Sequence, residues 1–157
     1  MGGDPDRHET EAERIDRNLD ELLQELRVTS IGVQVLFAFL LGLPFTNHFA
    51  DLDDGQRTLY VVDLVLAAVA TCLLIAPVAH HRLNFRRHRK ATILRRANRM
   101  AILGLVTVAA AVCGSVLLVV STLDTGPVAA IVAAGLALLF SVLWFVVPLL
   151  DRRRDRY

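Results

Sequence analysis

Four stretches of apolar residues, each close to twenty residues long, alternate with short segments that hold nearly all of the charge. They run over about 28–46, 59–79, 100–121 and 128–150, and each meets the roughly 20 residues that an α-helix needs to cross a hydrocarbon layer about 30 Å thick. Pro44 weakens the outer end of the first, the polar loop NHFADLDDGQR separates the first from the second, and Gly126-Pro127 marks a turn between the third and fourth. Ahead of the first span, Ile15, Leu19, Leu22, Leu23 and Leu26 recur at helical spacing among charged residues, which predicts an amphipathic helix over 10–27. Thr10 and Glu13 have the spacing of a capping box at its start. Ile15, Leu19, Leu22 and Leu26 fit a heptad seam of only about two heptads, short of the three or four that argue for a coiled coil. Residues 1–9 are expected to be disordered and 151–157 to form a basic tail. The expected fold class is therefore all-α: an integral membrane four-helix bundle with a cytoplasmic amphipathic N-terminal helix.

Composition sharpens this through segregation. Of 157 residues 54% are hydrophobic and 21% charged, with a mean hydropathy of +0.48; the charged share is near that of soluble domains, yet long stretches carry no charge at all. A soluble globular fold is excluded. The net charge of +1 conceals a segment of −5 over 1–27, one of +8 over 80–99 and one of +2 over 151–157. With four spans, both termini and 80–99 share a side that holds sixteen of the seventeen basic residues, leaving only Arg57 opposite. The Lys/Arg bias makes that side the cytoplasm, as in a bacterial inner membrane, and it argues against dual topology. The acidic first 27 residues lack the basic-then-apolar order of a cleavable signal peptide. Cys72 and Cys113 fall at depths that differ by roughly 9 Å in antiparallel spans, too far for a disulfide, so both read as small packing residues.

Inside lipid, helices associate through small residues and occasional interhelical hydrogen bonds. Gly104, Thr107, Ala111 and Gly114 share a face of the third span, Asp63, Ala67, Ala70 and Thr71 a face of the second, and Ala130, Ala134, Ala137 and Ser141 a face of the fourth. All three faces are expected to turn into the bundle. Trp144 suits a loose interfacial anchor.

Few residues can carry chemistry. Asp63 lies four residues into the second span, about 6 Å deep, and an ionisable group at membrane depth is a functional hypothesis by default. Against it stands the reading of a shallow structural acid that reaches water, with His48 as its nearest candidate partner. A second cluster forms at the cytoplasmic side if the first two spans are antiparallel neighbours. Gln34 lies six residues into the first span, Glu25 and Arg27 precede it, and His81 and Arg82 close the second. These residues make either a hydrogen-bonded collar or an ion entrance. In the segment 80–99, Arg86, Arg87, Arg89, Lys90, Arg95 and Arg96 are expected to meet anionic lipid headgroups, at about 1 kcal/mol per basic residue, and not nucleic acid. That segment could also attract the acidic N-terminal helix, itself a candidate surface for a protein partner. No nucleophile with a base at motif spacing, phosphate-cradling glycine loop or metal-ligand cluster is present, so neither an enzyme nor a cofactor or metal site is expected.

The run ELLQELRVTSIGVQVLFAFLLGLPF, together with APVAHHRLNF after the second span, resembles a family of small four-span bacterial membrane proteins of unknown function, common in high-G+C Gram-positive bacteria. The resemblance covers roughly 12–150 and is carried most specifically by the ELRV-to-FAFLL segment. It implies four spans, and the matching positions are Glu25, Arg27, Gly32, Gln34, Pro77, His81 and Arg82. Some relatives carry an automatic sodium–proton antiporter label, although this chain is far smaller than antiporter folds and lacks their paired mid-membrane acids on broken helices. Two functional classes follow: a small, homo-oligomeric ion or proton channel or transporter, or a non-transporting accessory protein that docks a partner through the acidic helix or the basic segment.

Overall fold

The computed structural model describes residues 11–84, 90–123 and 127–154, with side chains placed over 20–79, 95–123 and 127–151 and at Arg14, Arg17 and Asn18. Thr10, Arg86, Arg87 and Arg89 lie outside the described residues, and so do the side chains of His81, Arg82 and Lys90. Helix α1 spans Glu11–Gly42, α2 Asp54–Asn84, α3 Lys90–Leu123 and α4 Val128–Ser141; a π-helical turn, Val142–Val146, joins α4 to α5, Val147–Arg154. No strand occurs among the described residues. Four helical segments are long and apolar enough to cross a membrane, Asp20–Phe45, Asp54–Ala79, Arg95–Leu123 and Val128–Asp151, so the chain is a multi-pass membrane protein.

The amphipathic stretch and the first span are one helix. At 1.5 Å per residue the 32 residues of α1 reach about 48 Å, well beyond a 30 Å hydrocarbon layer. The 31 residues of α2 and 34 of α3 overshoot similarly. The three therefore continue past the apolar layer at the end where residues 80–99 lie. Two apolar clusters hold them together. Leu26, Val33, Ala70, Leu74, Ala101 and Val108 form the one nearer that end, with Leu22 against it. Leu40, Tyr60, Ala67, Ala111 and Leu118 form the other. Leu22 and Leu26 thus carry the core to the start of that span, and the helix continues without a break.

Small residues set the closest approach. On α3, an added Cβ at Gly104 would lie 2.8 Å from Leu74 Cδ2, and Ala67, Ala70 and Ala111 are fully buried. The small faces of α2 and α3 accordingly meet each other. The fourth span departs from expectation. Ala130, Ala134, Ala137 and Ser141 are all exposed, and α4 instead packs on α3 through buried Ala129 and half-buried Ala133, Leu136 and Phe140. Small side chains occur on several faces of α4, so composition did not choose the packing face; contact with α3 alone did.

Prolines explain the irregular turns. Pro44 has no N–H to give the carbonyl of Leu40, four residues back, and the buried Tyr60 hydroxyl donates to that carbonyl at 3.1 Å instead. Phe49 packs edge-on against Tyr60, ring centroids 5.1 Å apart. Pro148 likewise leaves the carbonyl of Trp144 without its usual donor. Just before it the helix widens, and the N–H of Val147 reaches back to the carbonyl of Val142.

Candidate functional site

The link between α1 and α2 is more ordered than a polar loop. Leu43–Phe45 and Asn47–Phe49 form two 3₁₀ turns. Asp53 and Gln56 then close a capping box: the Gln56 N–H donates to Asp53 Oδ1 at 2.8 Å, and Gln56 Oε1 accepts from the Asp53 N–H at 3.1 Å. Gln56 Nε2 goes on to donate to the Ser121 carbonyl at 3.1 Å, tying the start of α2 to the end of α3. Arg57, the one Lys or Arg of this link, donates to the carbonyls of Leu52 and Ala50, both at 3.0 Å. It shapes the link and has no bond to Asp63.

Below this rim, α2 and α3 run antiparallel and place Asp63 against Gly114 and Ser115. Asp63 is fully buried. Ser115 Oγ donates to its Oδ2 at 2.5 Å, a short interhelical hydrogen bond. Asp63 Oδ1 has no hydrogen-bond partner and faces Gly114, where an added Cβ would come within 2.7 Å of it. Only a glycine at 114 lets the helices close over this carboxyl. Apart from the hydroxyl of buried Tyr60, Asp63 and Ser30 carry the only polar or charged side-chain groups among the described buried residues. The Ser30 hydroxyl donates to the carbonyl of Arg27 in its own helix, so it joins no other element. A buried carboxyl with one oxygen unpartnered is what the interior otherwise avoids.

This corrects two expectations about Asp63. It does not reach water as a shallow acid would, because no part of it is exposed. Its partner is Ser115 and not His48, which is exposed in the second 3₁₀ turn. Ser115 was missed because a serine within an apolar run signals nothing unusual. Its relation to Asp63, 52 residues away, is a consequence of the α2–α3 register.

The other candidate residues sit apart from Asp63. Gln34 is exposed on α1, as are Glu25 and Arg27 near the start of the span, and Arg27 Nη1 donates to Gln24 Oε1 at 3.2 Å. His81 and Arg82 belong to the last turns of α2. Arg95 and Arg96 are exposed on α3. Among the described residues no group of three His, Cys, Asp or Glu side chains converges to hold a metal ion. Cys72 and Cys113 are free thiols.

Comparison with known proteins adds the family and nothing on chemistry. No curated protein and no solved structure matches the chain. Residues 8–148 match the family of unknown function DUF6328, which takes in the first three apolar helices and most of the fourth. The chain is thus a multi-pass membrane protein that belongs to the DUF6328 family.

Proposed function

We propose that this chain is a small oligomeric ion or proton channel or transporter of the bacterial inner membrane, with Asp63 as its proton-exchanging group. The observation that carries the reading is the fully buried Asp63, one oxygen held by Ser115 and the other unpartnered. A carboxyl at membrane depth can take up and release a proton, and such groups mark relays and ion pathways. Ser115 orients the carboxyl, and Gly114 lets α3 close over Oδ1. Exchange requires α2 and α3 to part slightly at this level, which the small side chains of Ala67 and Ala111 allow. Four slim helices leave little room for a pore within one copy, so the transporting unit holds more than one. The reading is of a transport protein and not of an enzyme.

In this reading both termini and residues 80–99 face the cytoplasm, following the Lys/Arg bias. Arg86, Arg87, Arg89, Lys90, Arg95 and Arg96 lie against anionic headgroups. Glu25, Arg27, His81 and Arg82 make up the cytoplasmic approach. The test is reconstitution of the full chain into liposomes carrying pH-, Na⁺- and K⁺-sensitive dyes. Proton flux that Asp63→Asn abolishes in a folded protein supports the proposal; absence of flux for every ion refutes it. The second reading, an accessory protein, draws on the continuous α1, whose acidic N-terminal half exposes Asp20, Glu21 and Glu25 to a partner. A partner lost on removal of residues 1–19, in a protein that moves no ion, would favour it.

A further inference from the structure

Gln34 is an amide in the wrong solvent. It lies seven residues beyond Arg27, about 10 Å along α1 and inside the apolar span. It is exposed on the outside of the bundle and bonds to no other described residue. In hydrocarbon nothing replaces the water that an amide loses, so a lone lipid-facing glutamine is unfavourable. The residues around it form a second seam on α1. Ile31, Gln34, Ala38 and Leu41 recur at spacings of three, four and three, and all are exposed. The buried seam of Leu26, Val33 and Leu40 lies on a different face. Ala38 and Gly42 add a small-xxx-small pair to the outward side, and a Cβ built at Gly42 meets nothing within 4 Å.

We infer that this face of α1 packs against the same face of a second copy of the chain, in a parallel two-fold dimer centred on Gln34. Copies inserted in one direction carry Gln34 at the same depth, and a two-fold axis brings the two amides together. The amide is self-complementary, since each NH₂ donates to the other's carbonyl oxygen. A second copy therefore gives each amide one donated and one accepted hydrogen bond with no further component. Between Arg27 and Phe45 the face carries no charge that would select a charged partner instead. Ala38 and Gly42 let the helices approach closely enough for the amides to meet. The inference deepens the oligomeric part of the proposed function but does not rest on ion movement; a dimer through α1 stands whether or not Asp63 exchanges protons.

The experiment is cysteine cross-linking of the full chain in native membranes, with Cys72 and Cys113 replaced by alanine. Single cysteines at Ile31, Ala38 and Leu41 are expected to give an oxidised dimer, whereas cysteines at Val61 and Val65 on α2 and at Ile131 on α4, all outward-facing, are not. Energy transfer between labelled copies in phosphatidylcholine–phosphatidylglycerol vesicles supplies the second readout. Gln34→Leu should weaken the dimer roughly 5- to 30-fold, the effect of losing two interhelical hydrogen bonds, and Gln34→Asn should weaken it less. A monomer at all α1 positions, dimers through Ile131 instead, capture of a different protein by the α1 cysteines, or a Gln34→Leu variant that dimerises as well as the parent would each overturn the inference. The cross-linking pattern decides the matter even if Gln34→Leu fails to accumulate.

Discussion

Replacing Gly114 by alanine tests the packing around Asp63 directly. The new Cβ would start 2.7 Å from Asp63 Oδ1 and 3.1 Å from its Cγ, whereas ordinary contact begins at 3.4 Å, so a gap of about 0.7 Å must open. The carboxyl is short and fully buried, with Ser115 holding its other oxygen, and it cannot swing away without breaking that bond. Overpacking of this kind costs about 1–3 kcal/mol. Loss of the interhelical bond would add about 0.6–1.7 kcal/mol if the carboxyl turns. Alanine's better helix propensity returns up to about 1 kcal/mol. The balance is a destabilisation of about 1–3 kcal/mol.

Equilibrium unfolding in mixed micelles, titrated with dodecyl sulfate and followed by helical circular dichroism, measures it. Gly135→Ala is the matched control, since an added Cβ there meets nothing within 4 Å; it should leave stability unchanged or raise it by up to about 1 kcal/mol. The decisive arm is the double variant. If the clash is with the carboxyl, Asp63→Ala removes the atoms that Gly114→Ala strikes, and the pair should be at least about 1 kcal/mol more stable than the sum of the single effects predicts. A Gly114→Ala protein as stable as the parent, or strictly additive single variants, would refute the packing argument.

Other contacts make narrower predictions. Ser115→Ala leaves both Asp63 oxygens without a donor and should lower stability by about 0.5–2 kcal/mol in the same titration, with Ser115→Thr intermediate. Tyr60→Phe withdraws the donor that replaces the missing N–H of Pro44; a loss of about 0.5–1.5 kcal/mol is expected in thermal melts, together with faster amide exchange at the end of α1. Gln56→Ala opens the capping box and the tie to Ser121, and should destabilise by about 1–2 kcal/mol while increasing protease cutting between residues 43 and 57. Ala134→Leu on the exposed face of α4 should leave monomer stability within about 0.5 kcal/mol, whereas Ala129→Leu at the α3 contact should cost about 1–3 kcal/mol.

What could be read from the chain divides by the range of the interaction. The four spans were legible because a run of twenty apolar residues leaves few alternatives, and Asp63 because a single acid in such a run is conspicuous. The facing of α2 and α3 was legible too: Asp63, Ala67, Ala70 and Thr71 share a face of α2, and Gly104, Thr107, Ala111 and Gly114 share a face of α3. On α4 alanine and glycine appear on several faces, so the pattern named Ala130, Ala134, Ala137 and Ser141 while the helix packs through Ala129 and its neighbours. Ser115 and Tyr60 were hidden for another reason. Each acts on a residue in a different helix, and only the register between helices assigns the pair. The Asp53–Gln56 box, by contrast, was there to be found, since an acid followed three residues later by glutamine is a start signal for a helix.

The cost that Asp63 carries is the strongest argument that it does more than join two helices. Serine, asparagine or threonine could hold α3 through Ser115 without leaving a carboxyl oxygen unmet in an apolar interface. Gly114 deepens the point: the helix closes over Oδ1 only with a glycine opposite it, in a helix where glycine is about 1 kcal/mol poorer than alanine. Two unfavourable choices therefore converge on one oxygen atom. Structural need alone would relax the first, because Asp63→Asn keeps the shape, offers Ser115 an acceptor, and removes the ionisable group. A purely structural residue predicts that Asp63→Asn is at least as stable as the parent and otherwise equivalent. A proton-exchanging residue predicts the same or greater stability with loss of flux, the pattern of a site that gives up stability for function. Stability and flux measured on one Asp63→Asn preparation therefore separate the two roles, and neither measurement alone does so.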